Sequence, residues 1–370
     1  NSPSLPVRGL VCYPVVKCRK PSGEKELTTM KYFPFGKTGI SLSEVGFGAI
    51  PIIRLSFAEA ERTLRRAYDL GITLFDTANA YHDSEEKIGR ALSPVRDTIF
   101  LATKTMKRDA ASAAEHIDLS LRRLNTDYID LFQFHQVALE KDWEKIMAPG
   151  GAMEAVLEAQ KAGKIRFIGI TSHSLSMAKK YVESGLFVSI QFPFNFIETD
   201  AAKELHPLAR EKGVAILAMK PFAGGAITDA ALAFKYLRSH GNLFPIPGYD
   251  SAESVEQIVA FYEKPNEVTG NDLAAMEAVR SELGGQFCRR CEYCQPCPQG
   301  VSITQGMIYP LLASRMSPEV ASEFASAGMD TLTKCTECGA CVKKCPYTLP
   351  IPAMLKKHYE LYLGHRKAKA

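Results

Sequence analysis

A chain of 370 residues with 46% hydrophobic and 23% charged residues has room for a large core, and length alone suggests two domains or so. The formal net charge of +4 is small, and much of it sits at the ends, in Lys17, Arg19 and Lys20 and in His365, Arg366, Lys367 and Lys369. Charge of this kind solvates termini and argues against nucleic acid as a partner, and no apolar run approaches the roughly 20 residues that cross a bilayer, which argues against a membrane.

The first 29 residues carry no clean apolar segment, being broken by Arg8, Pro14 and Lys17, so they make a poor signal peptide. They read as a disordered extension, with Met30 as a natural start, and the chain reads as cytoplasmic. From residue 42 to about 265, short apolar runs alternate with amphipathic helices. The predicted strands are Leu42–Ala49, Thr73–Thr77, Thr98–Thr103, Ile129–Phe134, Phe167–Thr171, Val188–Gln191, Val214–Met219 and Leu243–Ile246. Ser56 with Glu59 forms a capping box ahead of Phe57, Ala60, Leu64 and Ala67, and Ala110, Ala113, Ile117, Leu121 and Leu124 repeat the helical spacing. Gly71, Gly163 and Gly213 each follow a helix and precede a strand, as C′ glycines do. Strands alternating with helices imply parallel βαβ units, and eight of them fit an α/β fold closed as a (β/α)8 TIM barrel over residues 30–282. No G-x-G-x-x-G follows the first strand, so an open dinucleotide-binding sheet has no anchor.

Residues 283–370 have a different texture, with two cysteine groups, a mostly helical stretch from Ile303 to Ala327, and a last helix from Ile351 to about Leu363. Eight of the ten cysteines fall here, and Cys12 and Cys18 receive no role. The second group, Cys335, Cys338, Cys341 and Cys345 followed by Pro346, has the C-x2-C-x2-C-x3-C-P spacing of bacterial ferredoxins. The first, Cys288, Cys291, Cys294 and Cys297 followed by Pro298, is one residue shorter before its last cysteine. Zinc is the other reading of C-x2-C, although so tight a series does not split easily into tetrahedral pairs. Two [4Fe-4S] clusters with exchanged fourth ligands would place Cys288, Cys291, Cys294 and Cys345 on one and Cys335, Cys338, Cys341 and Cys297 on the other. With helices between its motifs, this region is expected to be a small alpha-helical ferredoxin-type iron–sulfur domain.

In the barrel, Asp76 and Tyr81 follow the second strand, Lys104 ends the third and His135 ends the fourth. All three strand ends point to the C-terminal face, where barrel active sites are built. The four suit carbonyl reduction. Charge left on oxygen needs a proton, which Tyr81 could give; Lys104 would lower an ordinary phenol pKa of about 10, with Asp76 holding the lysine and His135 orienting the carbonyl.

Residues from about 31 to 265 resemble the aldo/keto reductase family, whose catalytic tetrad Asp76, Tyr81, Lys104 and His135 match in order and position. The resemblance implies a nicotinamide cofactor, NADPH or NADH, and a small-molecule carbonyl substrate. It also implies nicotinamide contacts at Ser172, His173, Gln191 and Asn195, a pyrophosphate loop from Met219 and Lys220 onward, and an adenosine segment from Pro245 through Gly248. Ser251 would open a helix whose N-terminus faces a phosphate. With its cysteines, the chain resembles the branch of these reductases that carries a C-terminal ferredoxin domain. It departs from the family at Met219, where an aromatic ring usually stacks on the nicotinamide, and at His173, where Asn is usual. It departs again at Gly248 and Ser254, where Lys or Arg usually reads the 2′-phosphate of NADP.

A hydride carries two electrons and a [4Fe-4S] cluster moves one, and no flavin signature bridges them. Three arrangements remain open: clusters feeding a group in the barrel, clusters fed by a redox partner protein, or clusters that mainly fold their own domain. Against nicotinamide-dependent reduction stands a ferredoxin-coupled electron-transfer protein, or a redox-sensing or docking protein, whose barrel turns over no nicotinamide.

Overall fold

The computed structural model describes residues 30–283, 286–314 and 317–367. The extension expected over residues 1–29, with Cys12 and Cys18, lies outside them. A hairpin of β1 (Tyr32–Pro34) and β2 (Ser41–Ser43) opens the described chain. The run expected as one strand over Leu42–Ala49 is therefore split. Ser43 turns the chain, donating from Oγ to the Val45 carbonyl at 2.7 Å, and only β3 (Phe47–Gly48) enters the main sheet.

The other strands follow in order: β4 (Leu74–Asp76), β5 (Phe100–Thr105), β6 (Ile129–Phe134), β7 (Ile165–Thr171), β8 (Ser189–Pro193), β9 (Ala215–Met219) and β10 (Phe244–Pro245). Each is parallel to its neighbour, from β3 through β10. The two ends meet. Gly46 and Gly48 donate to the Pro245 and Pro247 carbonyls at 2.8 Å, and Gly48 bridges Gly248, so the sheet closes into a (β/α)8 barrel. The seam explains its glycines: a Cβ on Gly48 would stand 2.7 Å from the Ile246 carbonyl oxygen and 2.8 Å from that of Pro247. Gly48→Ala is expected to cost about 1–3 kcal/mol by overpacking, read as a lowered denaturant midpoint.

Helices alternate with the strands: α1 (Phe57–Asp69), α2 (Ser84–Leu92), α3 (Ala110–Leu124), α4 (Glu140–Met147), α5 (Ala152–Lys161), α6 (Leu175–Glu183), α7 (Asp200–Lys212), α8 (Ala230–Arg238) and α9 (Ala252–Tyr262). The Ser56–Glu59 capping box is present at the start of α1, and Gly71, Gly163 and Gly213 all have positive φ. One core lies between sheet and helices, and Trp143 of α4 packs against it, 5.1 Å from the Tyr181 ring. A second fills the lumen with Leu74, Phe100, Ala102, Leu131, Leu217 and Phe244, closed from below by Phe35, Ile40 and Leu42 of the hairpin.

After α10 (Gly270–Leu283) the chain builds a separate small core from α11 (Ile303–Ala313), α12 (Pro318–Met329), α13 (Ala340–Lys344) and α14 (Ile351–Lys367). Met307, Tyr309, Met329, Leu355 and Tyr362 form its centre, and most of the cysteines in this region pack on its edge.

The module contains an internal repeat. Arg290 and Glu292 have positive φ, as do Glu337 and Gly339, at the same offsets from Cys288 and Cys335. Gly300 and Thr348 also have positive φ, each three residues beyond a cysteine that precedes proline, and each donates its amide to that cysteine's carbonyl, at 3.0 and 3.1 Å. Next come Val301 and Leu349, both buried, and then Ile303 and Ile351, both buried and both opening a helix. The shorter spacing before Cys297 leaves this pattern intact.

Candidate active site and cysteine pockets

Side chains two apart on a strand share a face. The inward-facing residues Leu74, Ala102, Leu131 and Ser189 are thus followed, one step nearer the C-terminal end, by Asp76, Lys104, Gln133 and Gln191. Alternation alone builds a polar layer on top of an apolar one. In that layer Lys104 is fully buried and donates from Nζ to Asp76 Oδ2 and to the Thr77 carbonyl, each at 2.6 Å. Gln133 donates to Asp76 Oδ1 at 3.0 Å and Gln191 reaches Oδ2 at 3.5 Å. Tyr81, on the loop between β4 and α2, is half-buried, with the Lys104 ammonium 5.1 Å from its ring centre and the His135 ring edge-on at 5.7 Å. The four residues expected at three strand ends are together.

Burial would strip the charge from Lys104, but Asp76 and Tyr81 outweigh it and hold the ammonium above its ordinary pKa. Burial pushes the Asp76 carboxyl up, while Lys104, Gln133 and Gln191 pull it back. The expectation for Tyr81 needs correction. Lys104 does favour the phenolate, yet burial is the larger effect and Asp76 adds to it, so the phenol sits above its ordinary value and is protonated at neutral pH. Burial, with Lys104 and Arg108, keeps His135 far below the usual imidazole range, and its buried Nδ1 has no hydrogen-bond partner. Lys104→Met would leave the Asp76 carboxylate buried without its cation, and a loss of about 3–5 kcal/mol is expected in chemical denaturation.

Two contributors were not singled out from the sequence. Gln133 shares the Asp76 carboxylate, and its place in the period of β6 was the available signal. Arg108, in the loop after β5, donates to the His135 carbonyl at 2.7 Å and so holds the end of β6, and it carried no such signal.

The expected cofactor residues divide. Gln191 Oε1 and His173 Nε2 are buried without partners, so both can meet a ligand group at the mouth. Asn195 instead donates to Glu198 and to the Lys220 carbonyl and accepts from the Ile197 and Glu198 amides, shaping its own loop. The Ser172 hydroxyl is held by the Ser174 backbone. Met219 ends β9, with Lys220 beyond it at φ 57°. Gly248 sits in the barrel seam, and the Ser254 hydroxyl closes a capping box with Ser251. The cation missed there is Arg54, 3.7 Å from Asp250. The residues present fit a nicotinamide ring better than they fit a 2′-phosphate.

In the module, burial first and then the neighbouring cysteines, Cys345 among them, raise the thiol pKa values of Cys288, Cys291 and Cys294, with Cys294 pushed up to about 12. Cys297 lines a small pocket with Cys335, Cys338 and Cys341, and Cys294 of the first group also reaches it. All eight cysteines are free thiols. Among the described residues no three His, Cys, Asp or Glu side chains converge on a single metal ion. A cubane is wider than one ion, so thiolates spread around a pocket fit it better than they fit zinc. Alternating positive-φ residues, as at Arg290 and Glu292 and at Glu337 and Gly339, are the backbone pattern from which anion-binding nests at many Fe–S sites are built.

Residues 44–232 match the Aldo/keto reductase family and residues 287–349 match a 4Fe-4S dicluster domain. The chain belongs to the aldo/keto reductase family. This reductase is 32% identical over 219 residues to aldo-keto reductase YhdN of Bacillus subtilis, an alignment that spans 54% of the chain and 64% of the relative, just under two thirds. It is 30% identical to the uncharacterized oxidoreductase YqkF of the same organism, over 69% of the chain and 87% of the relative. The holo form of aldo-keto reductase AKR11C1 from Bacillus halodurans superposes with a TM-score of 0.59 at 26% identity, over 68% of this chain and 96% of that one. The protein is an oxidoreductase of this family that carries a 4Fe-4S dicluster domain, and among the described residues no helix is long and apolar enough to cross a membrane.

Proposed function

We propose that the protein reduces a small carbonyl compound at the barrel mouth, with Tyr81 as proton donor. The supporting observation is the fully buried Lys104 ammonium, fixed between Asp76 and the Tyr81 ring beside a neutral His135. In this reading the carbonyl oxygen lies between Tyr81 and His135. Tyr81 gives its proton as charge develops there, and Lys104 stabilises the phenolate left behind. Bound NADH or NADPH would supply the hydride, its nicotinamide meeting Gln191 and His173. Residues 30–282 form the reductase domain and residues 283–370 the cluster domain. Cys288, Cys291, Cys294 and Cys345 hold one [4Fe-4S] cluster, and Cys297, Cys335, Cys338 and Cys341 hold the other. A reducing cytoplasm suits eight free thiols. The test is anaerobic turnover of small aldehydes and ketones with each reduced nicotinamide. A rate that rises with neither would remove the nicotinamide from the reading.

A second reading, in which the clusters feed electrons to the barrel directly, is supported by the docking of the module. Tyr293 hydrogen bonds Ser176 Oγ at 3.4 Å just beyond β7. Arg289 reaches the Ile197 carbonyl at 3.4 Å, and Tyr347 donates to Asp200 at 3.1 Å. The first cysteine loop and the turn after Cys345 thus cover the loops that bear His173 and Asn195.

A further inference from the structure

The mechanism leaves a buried carboxylate of the barrel unused. Glu85, in the first turn of α2 and four residues after Tyr81, is fully buried. An apolar side chain would fill this space at less cost than a carboxylate, so the position is explained by the two acceptor oxygens. Oε1 accepts from Thr103 Oγ1 at 2.7 Å. Oε2 lies 3.5 Å from Asn79 Nδ2 and 3.6 Å from Arg123 Nη1, an atom that also lies 3.5 Å from the Asn79 carbonyl oxygen. Thr103 precedes Lys104 on β5 and faces the helices where Lys104 faces the lumen. The Asn79 amide donates to the Lys104 carbonyl at 3.1 Å, and Asn79 stands two residues before Tyr81. One side chain therefore ties the strand that carries the ammonium to the turn that carries the phenol. Around Tyr81 itself the backbone bonds are local. Its amide donates to the Ala78 carbonyl and its carbonyl accepts from the Ser84 amide, both at 2.9 Å, and the next residue, His82, is exposed with φ 45°.

We propose that Glu85 is a positioning residue for the proton donor, setting the spacing of Tyr81 and Lys104 from behind the sheet through Thr103 and Asn79. The inference rests on the reading of Tyr81 as donor given above. Phenol and ammonium belong to different elements, so their separation is only as well defined as the tie between turn and strand. Proton transfer to the carbonyl oxygen is sensitive to that separation. Nicotinamide binding at Gln191 and His173 depends on other strands, β8 and the end of β7.

The test uses the full chain. Glu85→Leu removes both oxygens at similar volume, and it is expected to lower kcat for carbonyl reduction by about 10–10²-fold with KM and nicotinamide affinity nearly unchanged. Thermal stability is expected to hold, because apolar replacement of a buried charged group is often neutral or stabilising. Glu85→Leu combined with Thr103→Val also removes the hydroxyl left without an acceptor, and serves if the single variant fails to fold. Thr103→Val alone should lower kcat, and Thr103→Ser should restore it. In a Tyr81→Phe background Glu85→Leu should add little further loss, since the group it places is gone. An unchanged kcat, unfolding of both the single and the double variant, or a fall in rate matched by a loss of nicotinamide affinity would overturn the proposal. Hydrogen exchange needs no substrate and separates this inference from the donor reading. Faster exchange confined to residues 77–84 in Glu85→Leu supports the tie, and with a fully active Tyr81→Phe the donor reading fails while the tie stands. Unchanged exchange over those residues would overturn the tie itself.

Discussion

Tyr81→Phe is expected to lower carbonyl turnover by about 10²–10⁴-fold, the usual contribution of a positioned proton donor. The substitution removes one oxygen from a half-buried ring and leaves the Asp76–Lys104 pair intact, so the fold should hold. Nicotinamide affinity, read by fluorescence titration, should change little, because Gln191 and His173, not Tyr81, are proposed to meet the ring. A fall in kcat with an unchanged dissociation constant is the pattern of an interaction used only in the transition state. Turnover equal to that of the unsubstituted protein would remove Tyr81 from the mechanism. The raised phenol pKa sets the direction of the pH profile. Below that pKa the donor is protonated, and the rate of reduction should fall as pH rises through it.

Removal of iron by an anaerobic chelator with a mild oxidant is expected to unfold the module and spare the barrel. Among the described residues, the module's own core has twelve buried hydrophobic residues, including Met307, Met329 and Leu355, while the barrel's two cores are several times larger. A domain with so little apolar burial depends on metal–thiolate bonds for its folding. Circular dichroism should then show a partial loss of helix, corresponding to α11, α12 and α14, and calorimetry should retain the barrel's cooperative transition. A single unchanged transition with full helix content would mean that the clusters do not fold the module.

The barrel was legible in the sequence because period and length agree: every expected strand from β4 to β10 lies within a few residues of its place. The first strand was misjudged because Leu42, Val45, Phe47 and Ala49 suggest one apolar run, and Ser43, Glu44 and Gly46, which mark the turn between hairpin and barrel, were read as part of it. The tetrad could be read because strand ends of a barrel share one face. What could not be read was the balance between Lys104 and burial at Tyr81, which depends on depth below the surface rather than on residue type. The docking of the module was also hidden. Arg289, Tyr293 and Tyr347 make it with a backbone carbonyl and short polar side chains, and such contacts leave no pattern in one sequence. Asn195 and Ser172 show a different limit: their positions matched a binding role, while their hydrogen bonds are used within their own loops.

The repeated turn, from cysteine-proline through a positive-φ residue to a buried isoleucine, has a consequence for assembly. In the proposed arrangement each half provides three thiolates to its own cluster and lends the fourth to the other. Neither half could then be completed alone, and insertion of the first cube would preorganise the site for the second. Loading should be all-or-none, with half-filled molecules scarce at every stage of reconstitution. A chain shortened before Cys345 would lose both centres together. Such a module has the form of a duplicated unit whose copies became interdependent by trading one ligand each.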